Sequence, residues 1–266
     1  MEVIIQPTAD AAAELVTALI DQALRAKPDL VLGLATGRTM EAVYARLVRR
    51  HREQGLSFKR CRTFNLDEYV GLPVGDPASY RSYMNHNLFA HVDIPFAHTH
   101  LPDGMAADLA AACDEYERCI SKCGGIDFQL LGIGNDGHIG FNEPLSALQS
   151  RTREKALTPA TVKQNSPLFA DPSRMPRRAL TMGIGTILDA RRCVMLVTGA
   201  GKASVLAQAV EGPITAMISA SALQLHPHCT VVVDEAATAD LKATDYYRWI
   251  FENEPEWAPF RAKPKN

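Results

Sequence analysis

The chain has 266 residues, 47% of them hydrophobic and 22% charged, an ordinary globular balance with apolar material for one large or two small domains. Its formal net charge of −2 argues against nucleic acid as the main partner, although a local basic patch can still bind a small phosphate. No apolar stretch approaches the roughly 20 residues of a membrane span, no secretory signal is legible, and the six cysteines form no C-x-x-C pair, so a reduced, cytoplasmic protein is expected.

Taken in chain order, Ala11–Lys27 sets Leu15, Leu19 and Leu24 among alanines at helical spacing. Leu30–Leu34 is a short apolar run that reads as a strand and stops at Ala35-Thr36-Gly37-Arg38-Thr39. Met40–Gln54 returns to a helical pattern, which Gly55 ends. Thr63–Leu66 predicts a strand leading into Asp67-Glu68-Tyr69, and Ser79–Phe89 and Ala106–Cys123 predict helices. Cys119 and Cys123, four apart in the latter, mark one helical face rather than a metal site. Phe128–Leu131 is the next buried strand. Thr158–Pro176 carries four prolines and no clear period, which is long for a loop and reads as a lid. Beyond it, Leu180–Met182, Cys193–Val197 and Thr230–Val233 read as strands, and Lys202–Glu211, Ala216–Leu225 and Leu241–Asn253 as helices. Strands alternating with helices predict an α/β fold: a single doubly wound domain over residues 1–266. Its sheet is mostly parallel and flanked by helices, with an irregular lid at 158–176.

In such a sheet the loops after successive strands emerge on one side, where ligands bind. The loop after Phe128–Leu131 is the most informative. Gly132–Pro144, G-I-G-N-D-G-H-I-G-F-N-E-P, packs four glycines around Asp136, His138 and Glu143. An imidazole between two carboxylates at a strand end points to proton-transfer chemistry. Thr36-Gly37-Arg38-Thr39 opens a helix, and its backbone N–H groups, hydroxyls and guanidinium suit a phosphate; the plainer alternative is an N-capped helix. Of Asp67 and Glu68, one carboxylate is expected in the crevice. Lys202, after Thr198-Gly199-Ala200-Gly201, either adds a second positive group to the phosphate or ends a helix in solvent. Asp136, His138 and Glu143 lack the further His or carboxylate that divalent sites usually recruit, so neither a metal nor a cofactor is expected. No G-x-S-x-G serine supports a hydrolase triad. The expected partner is a small phosphorylated polar substrate.

Phe64-Asn65-Leu66-Asp67-Glu68-Tyr69-Val70-Gly71-Leu72-Pro73, together with Gly132–Pro144, Ser150-Arg151-Thr152-Arg153 and Leu223-Gln224-Leu225-His226-Pro227, resembles the glucosamine-6-phosphate deaminase family. The likeness runs through nearly the whole chain. Only the G-x-G-x-D-G-H core is shared with 6-phosphogluconolactonases. A sugar-phosphate-sensing regulator of the same fold would normally carry a DNA-binding segment, and none is legible. The resemblance implies that His138, oriented by Asp136 and Glu143, opens the pyranose ring of glucosamine 6-phosphate. Asp67 then moves the C2 proton to C1, and water releases ammonia and fructose 6-phosphate. Thr36, Gly37, Thr39 and Lys202 would hold the phosphate. Relatives place an arginine in the lid after an Asn-Ser pair; here Asn165-Ser166 is followed by Pro167-Leu168, and Arg38 is expected to compensate. The resemblance also implies a homo-oligomer, with a hexamer favoured. Ser146, Arg153 and Lys155 match an allosteric site for N-acetylglucosamine 6-phosphate, with weak or altered activation expected because a neighbouring serine is Ala147.

Overall fold

The structure is a computed structural model that describes residues 1–261; the last five residues of the domain expected over 1–266 lie outside the described residues. The strands are β1 (Glu2–Gln6), β2 (Val31–Leu34), β3 (Arg62–Asn65), β4 (Asp67–Tyr69), β5 (Thr99–His100), β6 (Phe128–Leu131), β7 (Arg153–Ala156), β8 (Arg178–Thr181), β9 (Cys193–Val197) and β10 (Cys229–Asp234). The α-helices are α1 (Ala9–Ala26), α2 (Arg38–Gln54), α3 (Tyr80–Asn87), α4 (Leu109–Lys122), α5 (Pro159–Asn165), α6 (Ile184–Leu188), α7 (Ala203–Val210) and α8 (Thr244–Asn253).

Seven strands form one sheet in the order β1-β10-β9-β6-β2-β3-β5, and every pairing in it is parallel. The central strands are covered on both faces, so β9 and β10 are buried at every residue and read as continuous runs rather than alternating ones. Helix boundaries follow local chemistry. The Thr8 side chain accepts from Ala11 N–H and starts α1, whose Leu15, Val16, Leu19, Ile20 and Leu24 are buried. Gly55, at φ 67°, ends α2 in the left-handed conformation. The chain builds outward from β2 through β3 to β5, then returns so that β6 lies on the other side of β2 and the sheet grows through β9 and β10. The switch point therefore lies between β2 and β6, and the loops after these two strands diverge to leave a crevice.

Leu180–Met182 does not add to the parallel sheet. It is β8, the middle of a separate three-stranded antiparallel sheet, β4-β8-β7. Sequence pattern missed that sheet because β4 has three residues and β7 reads Arg-Glu-Lys-Ala with only half-buried and exposed positions. Ala216–Leu225 is not an α-helix but a 3₁₀ segment, Ser219–Leu225, preceded by a bridge between Thr215 and Ile218. Its polar groups prefer local partners: the Ser221 hydroxyl accepts from Thr215 N–H and donates to Thr215 C=O, and Ala220 N–H donates to Gly137 C=O. The expected irregular lid contains α5, which Thr158 caps and Pro159 opens, followed by 3₁₀ turns at Ser166–Leu168 and Pro172–Arg174. The main core surrounds the large sheet. A second small core joins Tyr69, Phe141, Leu157, Phe169, Met175 and Ala179, bringing the lid onto the antiparallel sheet. Among the described residues no helix is long and apolar enough to cross a membrane.

Candidate active site

The crevice at the switch point is a cleft of about 490 Å³ whose walls include Thr36–Glu41, Asp67, Tyr69, Gly132–Asn135, His138 and Lys202, closed by Gln164, Asn165, Leu168 and Phe169 of the lid. A cleft of this size suits a small polar ligand.

Asp67 and Glu68 go to opposite sides because successive side chains of a strand alternate. Asp67 lines the cleft. Glu68 turns away and accepts hydrogen bonds from the N–H groups of Tyr80 and Arg81 at the start of α3, and from its neighbour Tyr69. The choice left open by the sequence therefore falls on Asp67. Burial, with the nearby Glu68 charge, pushes the Asp67 carboxyl up to about 7, while His138 pulls it down. A carboxyl held there is poised to take up and release a proton near neutral pH.

His138 also lines the cleft, with Asp136 and Glu143 behind it. Its Nδ1 lies 2.6 Å from Asp136 Oδ1 and 3.3 Å from Glu143 Oε2, leaving Nε2 as the nitrogen available to a ligand. Burial alone would lower the imidazole, but the two carboxylates outweigh it and raise it above its ordinary range. Burial of Asp136 is likewise outweighed by His138, which holds its carboxyl low. The loop needs its glycines at two positions. A Cβ on Gly134 would stand 2.4 Å from the His138 ring, and Gly137 has φ 85° with Ile218 against it. Glu143 makes a further link: its Oε1 accepts from Thr158 N–H at 3.1 Å, which ties the glycine-rich loop after β6 to the start of the expected lid segment.

The β2 loop forms the cationic end. Gly37 precedes α2 with φ 117°, Tyr83 donates to its carbonyl at 2.8 Å, and Tyr44 donates to the Ala35 carbonyl. Thr36, Gly37, Arg38 and Thr39 all line the cleft, with Arg38 exposed in the first turn of α2. Lys202 is not a loose helix-end lysine. Its Nζ donates to Ile133 C=O at 2.9 Å and Asn135 Oδ1 at 2.5 Å, bridging the β9 and β6 loops and leaving one N–H for an anion.

These loops compare directly with known proteins. The family model for glucosamine-6-phosphate isomerases/6-phosphogluconolactonase matches residues 6–233. The chain belongs to this family. It is 49% identical to a glucosamine-6-phosphate deaminase of Arthrobacter sp. (strain FB24), over 97% of this chain and 99% of that one. It is 50% identical to the enzyme of the same name from Streptomyces coelicolor, again over 97% and 99%. Among solved structures, a glucosamine-6-phosphate deaminase described as monomeric superposes with a TM-score of 0.88 at 42% identity, over 90% of this chain and all of that one. A 6-phosphogluconolactonase from Trypanosoma cruzi shares the fold alone, with a TM-score of 0.73 at 20% identity over 91% and 97%.

Within the family fold, the structure brings together eight of the expected site residues: Asp67, His138, Asp136, Glu143, Thr36, Gly37, Thr39 and Lys202; Arg38 joins them at the rim. Ser146, Arg153 and Lys155 lie outside the cleft lining. Ser146 Oγ and Arg153 Nη2 are buried without a protein partner, while Arg153 Nη1 donates to Asn142 Oδ1 at 2.9 Å. Sequence pattern overlooked Tyr69 and Tyr80, whose rings pack at a tilt with centroids 4.9 Å apart. A signal was available for Tyr69: it stands two residues after Asp67 in an extended segment and so shares its face. Asp136, His138 and Glu143 also place three possible ligand atoms within 4.8 Å of one another, so these are the described residues that could hold a divalent ion.

Proposed function

We propose that this chain converts glucosamine 6-phosphate and water to fructose 6-phosphate and ammonia, through an aldose–ketose isomerisation that needs no metal or cofactor. The observation that carries the reading is that Asp67 and His138, the latter set against Asp136 and Glu143, line one sugar-sized cleft. The phosphate lies on the N–H groups and hydroxyls of Thr36, Gly37 and Thr39, with Lys202 and Arg38 supplying charge. The imidazolium of His138 donates its Nε2 proton to the ring oxygen and takes the proton of the anomeric hydroxyl, so the ring opens with no net proton change. Asp67, ionised, removes the proton from C2 of the aldehyde and delivers it to C1, while O1 gains a proton and the nitrogen gives one up. The product is an imine at C2, and water attacks that carbon to expel ammonia. Asp136 and Glu143 keep His138 protonated and fix its ring. One carboxylate can serve two adjacent carbons because the sugar is pinned by its phosphate end.

Residues 158–176 act as a lid on a single cytoplasmic domain. Ser146, Arg153 and Lys155 form an effector site for N-acetylglucosamine 6-phosphate; their two buried unpartnered polar atoms support this. The assembly is a homo-oligomer, with a hexamer favoured over the monomer described for the 42% identical relative. The test of function is a parallel assay on glucosamine 6-phosphate and 6-phosphogluconolactone. Ammonia and fructose 6-phosphate from the first, with the second untouched, is the expected result; lactone hydrolysis without ammonia release from the amino sugar assigns the chain to the other activity of its family.

A further inference from the structure

The lid residues that line the cleft, Gln164, Asn165, Leu168 and Phe169, are all uncharged. The lid thus presents no charge to the cleft lining, and the structure offers a fastening of another kind. Tyr69, at the end of β4, carries it. Its hydroxyl accepts from Asn165 Nδ2 of the lid at 3.2 Å and from the Tyr80 hydroxyl at 3.3 Å. Its ring meets Phe169 edge-on at 5.5 Å and packs against Phe141 at 5.7 Å. One side chain thus joins the lid to the strand of Asp67 and, through Tyr80, to the start of α3. The lid's own apolar residues Phe169 and Met175 have their core on this ring and not on the main sheet.

We infer that Tyr69 is a positioning residue: it latches the lid through Asn165 and Phe169, and so sets affinity for the sugar phosphate without taking part in proton transfer. The inference rests on the deaminase reading. Removing the hydroxyl leaves the Asn165 amide without its partner and shifts the lid toward its open state. A single hydrogen bond of this kind sets the scale of the effect at about fivefold in population. Substrate must then close a lid that is open more of the time, which appears in KM.

The test uses Tyr69→Phe, Asn165→Ala and the double variant in the full-length chain, with steady-state kinetics and trypsin cleavage after Lys163, an exposed lid lysine two residues from Asn165. Tyr69→Phe keeps the ring and its packing, so folding is preserved. The latch predicts a KM for glucosamine 6-phosphate raised by up to about fivefold in each single variant, and no further in the double. It also predicts kcat within about twofold, an unchanged pH profile and faster cleavage after Lys163. Wild-type KM and cleavage rate in Tyr69→Phe would overturn it. So would single effects that multiply in the double variant, or a KM effect in Tyr69→Phe with none in Asn165→Ala, which would make Tyr69 a substrate contact instead. Failure of the wild type to release ammonia overturns the deaminase reading, whereas the cleavage readout judges the latch without turnover.

Discussion

At Asp67 stability and function oppose one another. The buried carboxyl is held at about 7 in the folded state, against about 3.9 in an unfolded chain. Between these values the folded state binds the extra proton, so ionisation of Asp67 costs stability progressively as pH rises from about 4 to 7. Asp67→Asn removes that cost, and its melting temperature relative to wild type should gain more at pH 8 than at pH 4. The same variant has no base for C2, and kcat should fall by about 10²–10⁴-fold, the usual range for a lost general base. The pH profile follows with its sign: kcat/KM rises as Asp67 ionises toward pH 7, then declines at alkaline pH as His138 loses the proton it gives to the ring oxygen. An acid limb unchanged in position in a variant that moves the Asp67 carboxyl would count against this assignment. At the phosphate end, Arg38→Ala should raise KM about tenfold with little change in kcat, the size expected for a charge-assisted contact. A KM no different from that of a distant surface substitution would remove Arg38 from the site. Asp136, His138 and Glu143 were legible in the sequence because they crowd one glycine-rich loop. The choice of Asp67 over Glu68 came from the family resemblance and not from the strand pattern, since it depends on which face of β4 each side chain takes.

Among the elements, those covered on both faces announce themselves. β2, β6, β9 and β10 are short apolar runs in the sequence and buried strands in the fold. Strands that bury little, such as β7, leave no pattern to read. The 3₁₀ segment Ser219–Leu225 imitates a helix in composition, yet its Ala220 N–H is claimed by Gly137 and its Ser221 hydroxyl by the Thr215 backbone. The loop after β6 is the element on which the chemistry depends most. Gly134→Ala places a methyl carbon where the His138 ring now lies, so the imidazole must move from between its carboxylates. Activity should fall at least tenfold while the far-ultraviolet circular dichroism stays that of wild type; full activity in that variant would show that the ring position is not what the reaction needs.

For the whole molecule, the order of strands decides where function can sit. The switch between β2 and β6 opens a crevice, which the side chains of Asp67 on β4, His138 after β6 and Lys202 after β9 all reach. The assembly is a separate question. Light scattering on the purified chain should give a mass several times that of one chain, six times for the favoured hexamer, and addition of N-acetylglucosamine 6-phosphate should change the rate curve only weakly. A single-chain mass would remove the oligomer, and a sigmoidal curve sharply converted to a hyperbola would remove the weak activation. The central claim, amino-sugar isomerisation on Asp67 and His138 without a metal, is tested most directly by measuring ammonia and fructose 6-phosphate in one reaction with EDTA present, for wild type and Asp67→Asn side by side. The account predicts equal amounts of both products from the wild type and almost none from the variant. Loss of activity in EDTA restored by a divalent ion, or a variant as active as the wild type, would contradict it.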